Sequence, residues 1–434
     1  MNQFVFKNTA KTFLIAFMVL GLLSMGITWF VDDENHSRFW SNLLHNSVFF
    51  TGISVMAIFF ISVCITAYAG WYVQFKRIWE SFGSFIYLGF FLMVVIGITV
   101  YLHMNHLYHW ADSGSVAEDV ILQGKSGFLN KNWYLFGTII IVGGWAFFYN
   151  RLRSLSLEED KTGAGENFSK HRQMRWYAAV FLPIFGFTSA AMIWQWVMSI
   201  DSHWYSTMFA WYSAASWFVA MIALTILVLL YLKANGYYNT VTNDHVHDLG
   251  KFLFAFSIFW TYLWFSQYML IWYANVGEET IYFKTRMKEY PILFYGNLVI
   301  NFLLPFFVLL RNDTKRKFGS VGFVAIFVFI GHWWDYFLMI KPGVLHTAHE
   351  VSGHADSHGD HAADAIGHGH EVAHHGAEAV SNFVSGFTLP GFLEIGTFLG
   401  FTALFLFVVF SSLAKANLVA ENDPYLEESL HHHV

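Results

Sequence analysis

The sequence predicts an all-α integral membrane protein with ten transmembrane helices, and three observations carry that expectation. Hydrophobic residues make up 56% of the 434 positions and charged residues only 12%, whereas a soluble domain carries about 25% charge. A chain so poor in charge cannot cover a water-facing surface. Ten stretches of the chain approach the ~20 mostly apolar residues that a helix needs to cross a bilayer core. Lys and Arg fall unevenly in the loops between them, as the orientation rule for membrane proteins requires.

The spans are expected at 12–31, 46–70, 84–104, 133–149, 176–198, 208–232, 252–274, 292–310, 320–340 and 392–414. The first is full span length and lacks a small-residue cleavage site, so it reads as a retained helix and not a signal peptide. Lys76 and Arg77 separate the second from the third. Arg151, Arg153, Lys161, Lys170, Arg172 and Arg175 separate the fourth from the fifth. The fifth holds Pro183 and ends in Trp194-Gln195-Trp196; the sixth follows a turn with no basic residue. The seventh is preceded by a cluster of His and Asp. The eighth contains Pro305, which frees a backbone carbonyl and kinks a helix. Arg311, Lys315, Arg316 and Lys317 precede the ninth, which carries His332-Trp333-Trp334-Asp335. The tenth opens near Glu394.

With both termini inside, the inner segments hold 17 of the 24 basic residues and the outer loops 7. The expected location is therefore a membrane crossed many times, with both termini cytoplasmic. The chain divides into a first span and outer loop (1–45), a four-helix bundle of spans two to five (46–207), a second of spans six to nine (208–342), a His-rich acidic outer loop (343–388), and the tenth span with a cytoplasmic tail (389–434). An even number of helices from span two to span nine allows two groups of four in the same orientation, a parallel repeat, of which the Trp-rich ends of spans five and nine are either a trace or a coincidence in a Trp-rich chain.

Several classes are excluded. The single Cys64 allows no intrachain disulfide, c-type haem attachment or iron–sulfur ligand set. Six acids and no Lys or Arg lie between Gly343 and Ser385, so the remainder is neutral overall and offers no basic field for nucleic acid. No phosphate-binding loop, nucleophile elbow or metalloprotease helix motif occurs. The nine His of the 346–375 loop are compositional metal binders at best, too irregular to define a zinc site, and the loop reads as mobile and pH-sensitive.

Ionisable side chains in a span are costly and are the default functional candidates. On the outer side, Asp201 and His203 lie two residues apart, near Gln195 and Trp204, and suit the protons and planar ring of a quinol; the same residues also suit a tight turn with an aromatic belt. His332 and Asp335 share one face of span nine and can relay a proton or simply pair helices. On the inner side, His245, His247, Asp248 and Lys251 can gather protons or be merely solvated. A polar trail continues through Tyr262, Ser266, Gln267, Asn297 and Asn301, each of which also serves as helix–helix glue. His103, His106, His109 and Glu394 lie at outer span ends. A bis-imidazole haem b there is conceivable but not expected, because such His usually titrate freely. No metal site is expected.

The runs QWVMSIDSHWYSTMF (195–209), HDLGKFLFAFSIFWTYLWFSQYMLIWYANVGEE (247–279) and DPYLEESLHH (423–432) resemble the ActF-type membrane subunits of bacterial alternative complex III, a quinol:cytochrome c or electron-acceptor oxidoreductase. These are similar to the NrfD and polysulfide-reductase membrane subunits. The resemblance covers nearly the whole chain and implies two four-helix bundles with two flanking helices. It further implies a subunit without covalent cofactors, embedded in the lipid of a bacterial cytoplasmic (inner) membrane and associated with menaquinone or another quinone. Its partners would be multihaem cytochrome c and iron–sulfur subunits, a paralogous NrfD-like subunit to which the quinol site is ascribed, and a terminal oxidase. Quinone binding, proton conduction and a structural role all fit. A secondary transporter with parallel repeats and a ligand-free scaffold are the alternatives from other classes.

Overall fold

The computed structural model describes residues 3–163, 168–357 and 384–433, with the backbone alone for 350–357. Ten helices are long and apolar enough to cross a membrane: α1 Asn8–Val31, α2 Ser37–Thr66, α3 Val73–Tyr101, α4 Lys131–Thr162, α5 Ser169–Ile200, α6 Met208–Ala234, α7 Asn243–Ala274, α8 Pro291–Leu309, α9 Phe318–His349 and α10 Phe392–Leu413. No strand occurs among the described residues.

Several helices outrun their apolar stretches, because a helix stops at a cap and not where hydropathy falls. Thus α4 continues through its charged end to Thr162, and α7 begins at Asn243, where the Thr242 amide donates to His245 Nδ1 at 3.2 Å. The helix of α9 runs on to Ser357, so the segment expected as loop from Gly343 begins as helix. Most of the His-rich loop lies outside the described residues.

The helices close two rings. In one, α2, α3, α4 and α5 each pack on the next and α5 returns to α2; in the other, α6, α7, α8 and α9 do the same. Across the seam α2 meets α6, α5 meets α6, and α2 meets α9. Exchanging each helix with the one four places later maps α2–α6 onto itself and α5–α6 onto α9–α2. The contacts are therefore those expected of a pseudo-two-fold relation between the bundles, as in a parallel repeat.

Outside the rings, α1 lies along α10, which also packs on α3 and α2. The α1–α10 approach depends on glycine. A Cβ on Gly21 would stand 2.6 Å from Gly400 Cα, so the two backbones touch as small residues permit in membranes. Both described ends of the chain lie on one face, where Gln3 pairs with Asn417, as an even number of spans demands. This is called the terminal face below and its opposite the distal face.

Within the second bundle α8 is irregular. Its middle, Val299–Leu303, is a π-helical turn followed by Pro305, a widening often found where side chains are aimed into a functional interior. Between α7 and α8 a helix of 13 residues, Gly277–Glu289, sits on the distal side.

Candidate functional site: a buried carboxylate in the second bundle

Among all acids within the spans, Asp335 alone lies in the middle of one. The others, Glu80, Glu158, Glu159, Asp160, Asp244, Asp248 and Glu394, lie within the first or last eight residues of their helices. Asp335 is fully buried and faces the interior of the second ring, where one donor from each of the other three helices reaches it. The Tyr212 hydroxyl of α6 donates to Oδ1, Asn297 Nδ2 of α8 donates to the same oxygen at 2.7 Å, and Trp260 Nε1 of α7 donates to Oδ2 at 3.0 Å. All three donors are neutral, and no ion pair to Asp335 occurs among the described residues. A carboxylate held only by dipoles keeps the capacity to take up a proton, whereas one locked to a cation does not.

The surrounding polar atoms extend this centre in both directions. Asn301 Nδ2 donates to Asn297 Oδ1 at 2.6 Å from within the π turn. His332 lies one turn from Asp335 but does not bond it; its Nδ1 meets Ser216 Oγ at 2.8 Å, and its ring stands edge-on to Trp260. His332 Nε2, Asn301 Oδ1, Ser257 Oγ and Gln267 Nε2 are buried without a hydrogen-bond partner. Such atoms usually mark water positions.

Towards the distal face, a void of about 10 Å³ lies among Tyr212, Gln267, Tyr282 and Arg286, at the lower edge of what one water occupies. Arg286 is 2% exposed. Its Nη2 donates to Asp201 Oδ2 at 2.8 Å, its Nε to the Leu338 carbonyl at 3.2 Å, and its guanidinium lies 3.4 Å from the Tyr282 ring centre. Burial opposes the Arg286 charge, but Tyr282 and Asp201 outweigh it and hold the guanidinium above its ordinary pKa. Trp204 stacks flat on Tyr282 at 3.9 Å. Towards the terminal face, Asp248 pairs with Lys251 and with His432 of the C-terminal segment, both at 2.5 Å. His245 Nε2 meets the Ser429 carbonyl at 3.0 Å, and both ring nitrogens of buried His247 are unpartnered.

The structure thus divides the residues that the sequence grouped together. His332, Asp335, Asn297 and Asn301 converge, and Ser266 and Gln267 are buried on α7 of the same bundle. Asp201 joins this group on the distal side through Arg286. His203 instead pairs with Asp119 on the distal surface, and Gln195 is buried without a partner on α5 of the first bundle. Tyr262 does not join the trail: it is 61% exposed and points out of the bundle. His103 bonds Lys131, and Glu394 takes a bidentate contact from Arg38.

Sequence reading missed Tyr212, Ser216, Trp260 and Arg286. Tyr212 and Ser216 are four apart on α6 and share a face, but in a chain that is 20% aromatic such a pair does not stand out. Arg286 counts as a loop cation until its helix folds inward. Also missed is a buried ion cluster at the terminal end of the first bundle. Glu80 takes Arg77 at 2.5 Å and Ser156 Oγ at 2.6 Å, and pairs with Arg153; Arg77 also pairs with Asp160. The spacing of Arg77 and Glu80, three apart on one helix, was its only signal.

Fold and site together define the class: a multi-pass helical membrane protein of two fused four-helix bundles, with a buried carboxylate centre in one of them. Compared with known proteins, the chain matches no family model and no curated protein.

Proposed function

We propose that this chain is the proton-conducting membrane subunit of a quinol-oxidising respiratory complex, in which electrons pass to cofactors of partner subunits. The observation that carries the reading is Asp335 at mid-span, held by neutral donors from α6, α7 and α8 and followed in both directions by polar residues. A carboxylate placed there at a cost of several kcal/mol requires a compensating task, and proton relay is one that fits. On this reading Asp248 and His247 take up protons at the terminal face, Asp335 holds them at mid-depth, and Arg286 with Asp201 forms the distal exit. The kind of complex is suggested by the likeness of the 195–209, 247–279 and 423–432 runs to alternative complex III subunits.

A quinone site at the distal crevice near Asp201 and His203 has weaker support. The distal crevice beside Trp194, Trp204 and Tyr205 has a volume of about 260 Å³, below the ~300–1,000 Å³ usual for ligand pockets. The pseudo-two-fold relation equally suits a secondary transporter. Purification separates the two: a respiratory subunit isolates with haem absorbance and a transporter isolates alone. In proteoliposomes of the purified assembly, Asp335→Asn should abolish quinol-driven acidification or alkalinisation while haem content stays unchanged. Full proton movement in that variant would remove Asp335 from the path.

A further inference from the structure

A second polar centre lies at the terminal face, away from Asp335. Glu159 stands in the last turn of α4, His171 in the first turn of α5, and Asp423 in the segment after α10. One donor atom from each lies within 4.8 Å of the other two. The residues are 1%, 3% and 5% exposed. Both ring nitrogens of His171 and Oε1 of Glu159 have no hydrogen-bond partner, and His171 Nδ1 stands 3.7 Å from that oxygen. An imidazole always carries at least one N–H donor, and buried polar atoms are partnered as a rule. A buried ring with neither nitrogen used, facing two carboxylates, calls for something between them.

The frame around the three side chains is set independently of His171. Lys76 Nζ donates to Asp423 Oδ2 at 2.8 Å, the Tyr425 amide donates to Asp423 Oδ1 at 3.1 Å, and Asn422 Nδ2 donates to the backbone carbonyls of Glu159 at 3.3 Å and Asp160 at 2.9 Å. These contacts hold Asp423 against α3 and α4 whatever fills the centre.

We propose that Glu159, His171 and Asp423 form a site for a divalent transition metal, zinc above others, which fastens the C-terminal segment to the ends of α4 and α5. One imidazole nitrogen and two carboxylates match zinc in donor type, and three protein ligands with one water complete its coordination. Bonds of about 2.1 Å place tetrahedral donors about 3.4 Å apart, close to the 3.7 Å between His171 Nδ1 and Glu159 Oε1. The three groups and Lys76 sum to one negative charge with His171 neutral, which favours a cation. The rival occupant is a proton on His171, bridging the two carboxylates, and it differs in requiring no metal. The inference does not rest on the role given to Asp335.

The test compares the full-length wild type with His171→Gln and Glu159→Gln. All three are purified with their other histidines intact, dialysed against zinc and then against a weak chelator, and assayed for zinc by mass spectrometry. Histidines of the 346–375 loop and the chain end contribute equally to the three and cancel. The expected result is one equivalent less zinc in each variant, with a zinc-dependent rise in unfolding temperature in the wild type only. Equal zinc contents and equal thermal responses would overturn the proposal in favour of the protonated ring. Should a variant fail to accumulate, cobalt substitution of the wild type decides. A buried three-ligand site gives the intense visible absorption of low-coordinate cobalt, and its absence overturns the proposal, since solvated histidine tracts bind cobalt in the pale six-coordinate form.

Discussion

Replacing Asp335 by Leu and by Asn separates its structural work from its chemistry. Leu strands three donors at once, Tyr212 Oη, Asn297 Nδ2 and Trp260 Nε1, all in a fully buried ring. An interhelical hydrogen bond in a membrane protein contributes about 0.6–2 kcal/mol, so the loss of three predicts about 2–6 kcal/mol of destabilisation. Asn keeps one carbonyl oxygen with two lone pairs, enough for Tyr212 and Asn297, and sets its amide against the Trp260 N–H. It therefore loses one bond and costs about 0.6–2 kcal/mol. Thermal unfolding in detergent, followed by near-ultraviolet signals from the surrounding Trp and Tyr, should rank wild type, Asn and Leu in that order. Proton movement should be lost in both variants, because Asn cannot take up a proton at any accessible pH. Equal stability of Leu and wild type would refute the geometry, whereas a stable, fully conducting Asn variant would refute the function.

Further outcomes follow from other parts of the molecule. Glu394, 1% exposed, accepts from Arg38 at 2.7 and 2.8 Å, from Asn42 at 3.0 Å and from the Gly391 amide at 3.0 Å; Glu394→Ala leaves Arg38 without its counter-ion and should destabilise by about 3–5 kcal/mol, read by thermal unfolding. Gly400→Leu forces α1 off α10, since a Cβ there would stand 2.5 Å from Gly21 Cα; overpacking of this kind costs about 1–3 kcal/mol. Gly26→Ala, with nothing within 4 Å of the new Cβ, is the neutral control. For Asp119, burial acts to raise the pKa, but His203 and the amides of Leu122 and Ile121 outweigh it and hold the carboxyl below its ordinary 3.8. A depressed carboxyl stabilises at pH above its unfolded value and loses that contribution as pH falls through the folded one. The Val120–Lys125 helix should therefore loosen only below about pH 4, with hydrogen exchange of its amides as the measure. Arg153→Gln should lower thermal stability through the Glu80 cluster while leaving proton movement intact, because that cluster is closed on itself.

How much of this was legible in the sequence depends on which physical quantity each feature obeys. Span number and rough position follow from hydrocarbon thickness, which leaves a direct mark in apolar run length, and all ten stretches are helices. Helix ends do not follow, because capping by Thr242 or continuation of α9 past Gly343 depends on local bonds that hydropathy ignores. Asp335, His332, Asn297 and Asn301 were visible because charge and amide groups are rare in the middle of spans. Tyr212 and Trp260 were invisible because Tyr and Trp are common in this chain and only their partner distinguishes them. Tyr262 failed for the complementary reason: its neighbours in sequence are buried, but the period of α7 turns it outwards.

The two bundles share a topology and differ in where they keep their charge. In the first, Arg77, Glu80, Arg153 and Asp160 gather at the terminal end and neutralise one another, and the polar contacts nearer the distal end are neutral ones, Trp196 to Thr138 at 3.0 Å and Tyr108 to Tyr134 at 3.0 Å. A cluster whose charges offset one another resists any added or removed charge, since each change strands a buried ion. In the second bundle a single carboxylate sits at mid-depth among neutral dipoles, flanked by unpartnered atoms of His332, Asn301, Ser257 and Gln267. Adding a proton there strands no ion, and water can reach the unpartnered atoms. On the proposed reading the second bundle holds its exchangeable charge at Asp335, while the Arg77–Glu80–Arg153–Asp160 cluster helps to fix the first.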